Sequence, residues 1–151
     1  MHPNITEQIQ GLSRALSEVI APEVQSAYPA EILGSVIGTL DALQSSWSKI
    51  PVFLQWDIKE TAAVLSAALP MLSPGLVTDI QAALADTPSD AVDWAALEAH
   101  QMRLRGLLAR AVPALACSKD SDTYRSMVTL FRERTERFPF SIAARPPAKK
   151  T

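Results

Sequence analysis

Residues 50–90 read IPVFLQWDIKETAAVLSAALPMLSPGLVTDIQAALADTPSD. Phe53, Leu54, Ile58, Ala62, Leu65 and Leu69 recur by threes and fours, the step of one helix face. The spacing predicts a helix from about Val52 or Asp57 to Leu69. Ser73-Pro74 then matches an N-cap followed by a first-turn proline, opening a short helix through Leu76, Val77, Ile80 and Leu84. DTPSD, from Asp86 to Asp90, reads as a loop. Proline lacks the amide a helix interior needs, so its placement marks helix boundaries independently of hydrophobicity. Here the two signals agree.

The same agreement extends outward. Upstream, Ile5, Ile9, Leu12, Leu16 and Ile20 form one stripe, with Asn4 or Thr6 as candidate N-caps. Val24 and Tyr28 continue that register past Pro22, which favours a kinked helix reaching about Ser26 over the alternative of a full break at the proline. Pro29 suits the first turn of a second helix whose apolar face is Ile32, Leu33, Val36, Ile37, Leu40, Leu43 and Trp47. Ile50-Pro51 closes that segment. Gly34 and Gly38 stand four apart on it, a spacing that lets a neighbouring backbone approach closely. Downstream, a fifth helix from about Asp90 or Asp93 to Leu115 carries Leu97, Leu104, Leu107, Leu108, Ala111 and Leu115. A sixth aligns Tyr124, Met127, Val128, Phe131 and Phe138, with Arg132/Glu136 and Glu133/Arg137 spaced for i,i+4 pairing. No alternating strand pattern intervenes. The expected fold is all-α: an antiparallel bundle of five to six helices over residues 1–140, followed by a basic, proline-containing tail at 141–151.

Composition limits what such a domain does. At 151 residues one domain is expected, and 48% hydrophobic with 20% charged residues is too apolar for disorder. Residues 1–120 carry 7 basic and 13 acidic side chains, whereas 121–151 carry 7 basic and 3 acidic. An acidic body with a basic end fits head-to-tail association or an acidic partner, or simply solvated helix faces. The tail's Arg145, Lys149 and Lys150 are too few for a nucleic-acid footprint. Cys117 is the sole cysteine, which excludes a disulfide-stapled secreted domain. The opening MHPNITEQIQGLSR lacks the basic start and apolar run of a signal peptide, and no stretch approaches the ~20 apolar residues of a bilayer span. A cytoplasmic protein without membrane contact is expected.

The chain also lacks the residues of several chemistries. Its histidines are His2, near the terminus, and His100. There is no H-E-x-x-H, no pair of C-x-x-C motifs, no phosphate-binding glycine loop and no G-x-S-x-G elbow. No metal, cofactor or catalytic residue is implied.

Two constellations remain. His100 falls in the apolar stripe of the fifth helix, with Arg103 and Arg110 on the adjacent flank. An inward imidazole beside two guanidinium groups could grip a carboxylate or phosphate. The competing reading is a half-buried histidine with arginine stems covering the core edge. Trp47, Phe53 and Trp56 bracket the junction of the second and third helices, either as a partner-binding patch or as rings plugging one end of the bundle. Asp57 and Glu60 stand three apart nearby and could pair for acid/base work or favour the dipole at a helix start.

EVIAPEVQSAY, from Glu18 to Tyr28, and DWAALEAHQMRLRGLLARAVPAL, from Asp93 to Leu115, resemble small bacterial helical proteins. These are uncharacterised proteins encoded beside aminoglycoside-phosphotransferase-like kinases and acyl-CoA dehydrogenases. The resemblance covers under a third of the chain and brings no catalytic residues with it. It implies an accessory protein of small-molecule or acyl metabolism, with such a kinase or dehydrogenase as partner. The expected function is therefore a non-catalytic interaction protein that self-associates or binds a metabolic enzyme. The alternative is a ligand-binding protein or enzyme with a pocket for an acidic or acyl metabolite at His100, Arg103 and Arg110.

Overall fold

A computed structural model of the chain describes residues 4–88 and 93–139. The tail at 141–151, His2 and the alternative helix start at Asp90 lie outside the described residues. Every regular element among those described is helical: α1 Ile5–Ala15, α2 Ala27–Ser46, α3 Ile50–Ala68, α4 Pro74–Ala85, α5 Trp94–Ala116 and α6 Asp122–Arg137. The all-α expectation holds. Among the described residues the contacts sort into two compact units, residues 4–49 with Pro139, and Ile50–Phe138. The first rests on α1 against α2, while α3 to α6 share a core of their own.

In the first unit a capping box opens α1. The Asn4 side chain accepts from the Glu7 amide at 2.8 Å, and Glu7 accepts from the Asn4 amide at 2.9 Å. Pro22 ends this helix rather than bending it. Ahead of it the chain widens into a π turn, Leu16–Ile20, in which the Ala21 N–H reaches the Leu16 carbonyl. It then tightens into a 3-10 turn, Ala21–Glu23, and Val24 is extended at ψ 99°. Proline cannot donate to the Glu18 carbonyl, and its ring crowds that same group, so regular winding fails one turn early. Ser13 Oγ donates to Asp41 Oδ1 at 2.7 Å and ties α1 to α2. The buried residues of these two helices are only Ile9, Ser13 and Ser46. Gly38 lacks the expected close neighbour, since a Cβ there would meet nothing within 4 Å.

The second unit begins with Pro51, which lies in the first turn of α3 and opens that helix instead of closing the one before. Leu54, Ile58, Leu65 and Ala68 then face inward. Pro70 sits in a 3-10 turn, Leu69–Met71, that ends the helix. Ser73 and Pro74 take the N-cap and N1 places of α4 as expected, without a side-chain capping bond from Ser73. Asp93 caps α5 by accepting from the Ala96 amide at 3.0 Å, and Ser121 caps α6 by accepting from Tyr124 at 3.2 Å. Pro113 is tolerated inside the last turn of α5, which runs on to Ala116.

The core of this unit joins Leu65 of α3, Ile80 of α4, Leu104, Leu108 and Leu115 of α5, and Met127 and Leu130 of α6. Each such side chain contributes about 1.5–3 kcal/mol on leaving water. The stripe on α6 is narrower than its sequence suggested. Met127 and Leu130 are buried, but Val128, Phe131 and Phe138 are 47%, 39% and 52% exposed. Arg134 takes the inward position instead.

Candidate functional site

Arg134 turns inward because α3 presents a buried carboxylate. Asp57 is fully buried, one turn from Leu54 and one turn from Thr61 along the inward stripe of α3. Helix α3 starts at Ile50, so Asp57 lies two turns inside it and has no part in a first-turn dipole. A carboxylate without water must collect donors from the protein. Asp57 collects three. Its Oδ2 accepts from Gln101 Nε2 at 2.7 Å and Arg105 Nε at 2.8 Å, both on α5. Its Oδ1 accepts from Arg134 Nε on α6 at 2.6 Å. Arg134 Nη2 also donates to Thr61 Oγ1 at 2.8 Å. Among the described residues no buried side-chain polar atom lacks a partner. One carboxylate thus joins three helices.

Aromatic rings pack around this cluster. Phe53 and Trp56 lie 5.9 Å apart with their planes tilted by 35°, and Phe138 meets Phe53 edge-on at 5.6 Å. The guanidinium carbons of Arg105, Arg134 and Arg137 lie 6.0, 5.5 and 4.8 Å from the rings of Phe53, Phe131 and Trp56. Phe53 is buried, and Trp56 is half-buried against the core of this unit. Trp47 belongs to the other unit, in the 3-10 turn Trp47–Lys49 that follows α2. Asp57 does not pair with Glu60, which lines an open groove of about 570 Å³ between α3 and α6.

The expected His100 cluster is only partly assembled. His100 is buried at 6% exposure, as its place in the stripe implied. Both arginines are instead engaged by carboxylates of α4 and of the turn that ends it: Arg103 Nη1 to Asp86 at 2.9 Å, Arg110 Nη1 to Asp79 at 2.8 Å. They border an open groove of about 430 Å³ with Asp79, Ala82, Met102 and Gly106, and His100 does not line it. Seven residues are two helical turns, so Arg103 and Arg110 share a flank, while His100 turns toward the core. Exposed pairs of this kind contribute about 0–1 kcal/mol each.

Burial, and then the nearby Arg103 charge, hold the His100 pKa below its ordinary value, with Asp86 opposing. The unfolded chain therefore takes up a proton on His100 before the folded one does. The stabilisation is complete above the ordinary histidine pKa of about 6.5 and is lost as pH falls toward the lower folded value. We expect the urea midpoint to drop between pH 7 and pH 5, and His100→Gln to flatten that limb. An equal slope in both proteins would show that other groups govern it.

Sequence reasoning missed Arg105, Arg134 and Gln101. The signal was present on α3, where Asp57 interrupts an otherwise apolar stripe, and on α6, where Arg134 follows Met127 and Leu130 in register. Among the described residues no three His, Cys, Asp or Glu side chains converge as metal ligands, and no helix is long and apolar enough to cross a membrane. No family model matches the chain, and neither a curated protein nor a solved structure is significantly similar to it.

Proposed function

We propose that this chain is a non-catalytic interaction protein that binds a partner protein through the α1–α2 hairpin. The observation that carries this reading is the hairpin's apolar surface. Ile5, Leu12 and Val19 recur every seven residues and are 45%, 58% and 64% exposed. Tyr28, Ile32 and Val36 recur every four and are 74%, 49% and 44% exposed. Two stripes of this kind on one short hairpin exceed the scattered apolar residues normal for a surface. An amphipathic helical face left in water is the usual mark of helix-on-helix recognition.

Charge argues for the kind of partner. Residues 4–49 carry Glu7, Glu18, Glu23, Glu31 and Asp41 against Arg14 and Lys49. Pairing two copies hairpin to hairpin would set like charges around the apolar contact, which disfavours self-association through this surface. A partner helix with an apolar stripe flanked by lysine and arginine matches it. The resemblance to proteins encoded beside phosphotransferase-like kinases and acyl-CoA dehydrogenases supplies the two candidates.

The full-length chain should run as a monomer in size-exclusion chromatography with light scattering. It should form a complex with such a kinase or dehydrogenase from the same organism. Replacing Leu12 and Val19 together by Asp should weaken that complex at least tenfold while leaving helicity intact. A homodimer dissolved by the same substitutions, or a complex indifferent to them, would overturn the proposal, as would a monomer that binds neither enzyme.

A further inference from the structure

The Asp57 cluster contains more positive charge than its structural role needs. One buried carboxylate meets two guanidinium groups, so the cluster carries a net single positive charge. Both arginines bind Asp57 through Nε alone. The two terminal amino groups of Arg105, and Nη1 of Arg134, have no hydrogen-bond partner among the described residues. The Arg105 side chain is 30% exposed and that of Arg134 is 16% exposed, so a solute can reach them from water. Neither is free to swing. Asp57 fixes each Nε, Phe53 and Phe131 hold the guanidinium faces, and Thr61 holds one amino group of Arg134. Arginines positioned in advance by a buried carboxylate lose little freedom when they take a ligand.

We propose that Arg105 and Arg134 form a binding site for a monocarboxylate with an apolar body. Charge selects the ligand class. One carboxylate neutralises the cluster, whereas a phosphate dianion would leave it negative within a partly desolvated site. The fork of a guanidinium matches the two oxygens of a carboxylate, and such paired bonds are among the strongest neutral-pH contacts a protein makes. Phe138, edge-on to the Phe53 ring over which Arg105 lies, supplies an apolar wall beside the charge. This site is on α3, α5 and α6 and does not depend on the hairpin's role.

Calorimetric titration of the full-length protein with acetate, hexanoate, benzoate and inorganic phosphate at low ionic strength tests the proposal. Hexanoate and benzoate should bind saturably in the millimolar range or tighter, at least tenfold more strongly than acetate, with phosphate the weakest. Arg105→Gln should weaken hexanoate binding at least tenfold. Because that substitution also loosens Asp57, the arginine Nε–H resonances of the unaltered protein provide a second reading. Those of Arg105 and Arg134 should shift on adding hexanoate. No saturable binding, tighter binding of phosphate, or shifts confined to Arg103 and Arg110 would each overturn it.

Discussion

Asp57→Ala should lower the stability of the α3–α6 unit by about 3–5 kcal/mol, the cost of removing one partner from a buried charge pair. Total stability for a domain of this size is about 5–15 kcal/mol, so the variant would stand near the edge of folding. The loss does not measure how much the ion pairs stabilise the native protein. It arises because Arg105, Arg134 and Gln101 converge on one point from two helices and would face each other with nothing between them. The two guanidinium groups would repel, and the Gln101 amide would lose its acceptor. Asp57→Asn should cost less, since the amide oxygen still accepts one of these donors. The opposite design sharpens the argument. Replacing Asp57 by Leu together with Gln101→Leu, Arg105→Met and Arg134→Met removes every charge and the buried amide at once and should be near neutral or stabilising, because desolvation of the charged groups is then avoided and no donor is orphaned. Urea denaturation of the full-length chain, followed by circular dichroism, checks all three. If Asp57→Ala unfolds at the native midpoint, the cluster does not hold α3, α5 and α6 together.

That cluster also marks how far the sequence could be read. Helix positions were legible because each has a local cause. Asn4 and Asp93 accept amides three residues on, and Pro29 and Pro74 lie in first turns. Leu65, Leu104 and Leu108 could be named as core because inward faces repeat with the helix period. Partners across helices have no such local cause. Arg105 lies 48 residues and Arg134 77 residues from Asp57, and neither periodicity nor composition pairs them. The same gap explains the His100 cluster. A helical wheel correctly put His100 inside and the two arginines together on a flank, but it carried no information about Asp79 and Asp86, which occupy those arginines. At Pro22 the favoured kink gave way to the alternative break for another reason. The stripe does continue past it, yet periodicity reports which residues are apolar and not whether the backbone between them keeps its winding.

Leu104→Ala should destabilise the second unit by about 4–5 kcal/mol, the upper end of leucine truncations. Leu104 has no exposed surface and sits near the middle of α5, one turn after His100 and one turn before Leu108. That helix packs against α3 and α4, with α6 beside it, so the space left by the side chain is walled by several elements at once. None of them can close it alone without disturbing the others. Collapse is what lowers the cost of a cavity, and here it is blocked. Leu84, also a leucine of this unit, lies only at the edge of the core, and its truncation should cost less because water can fill the gap. Leu104→Met, which nearly conserves volume, should cost under about 1.5 kcal/mol. The comparison separates packing from position along the helix, since all three substitutions retain good helix formers. Chemical denaturation of the three variants gives the ranking, and a Leu104→Ala protein no less stable than Leu84→Ala would refute the view of α5 as the element on which the unit's core is built.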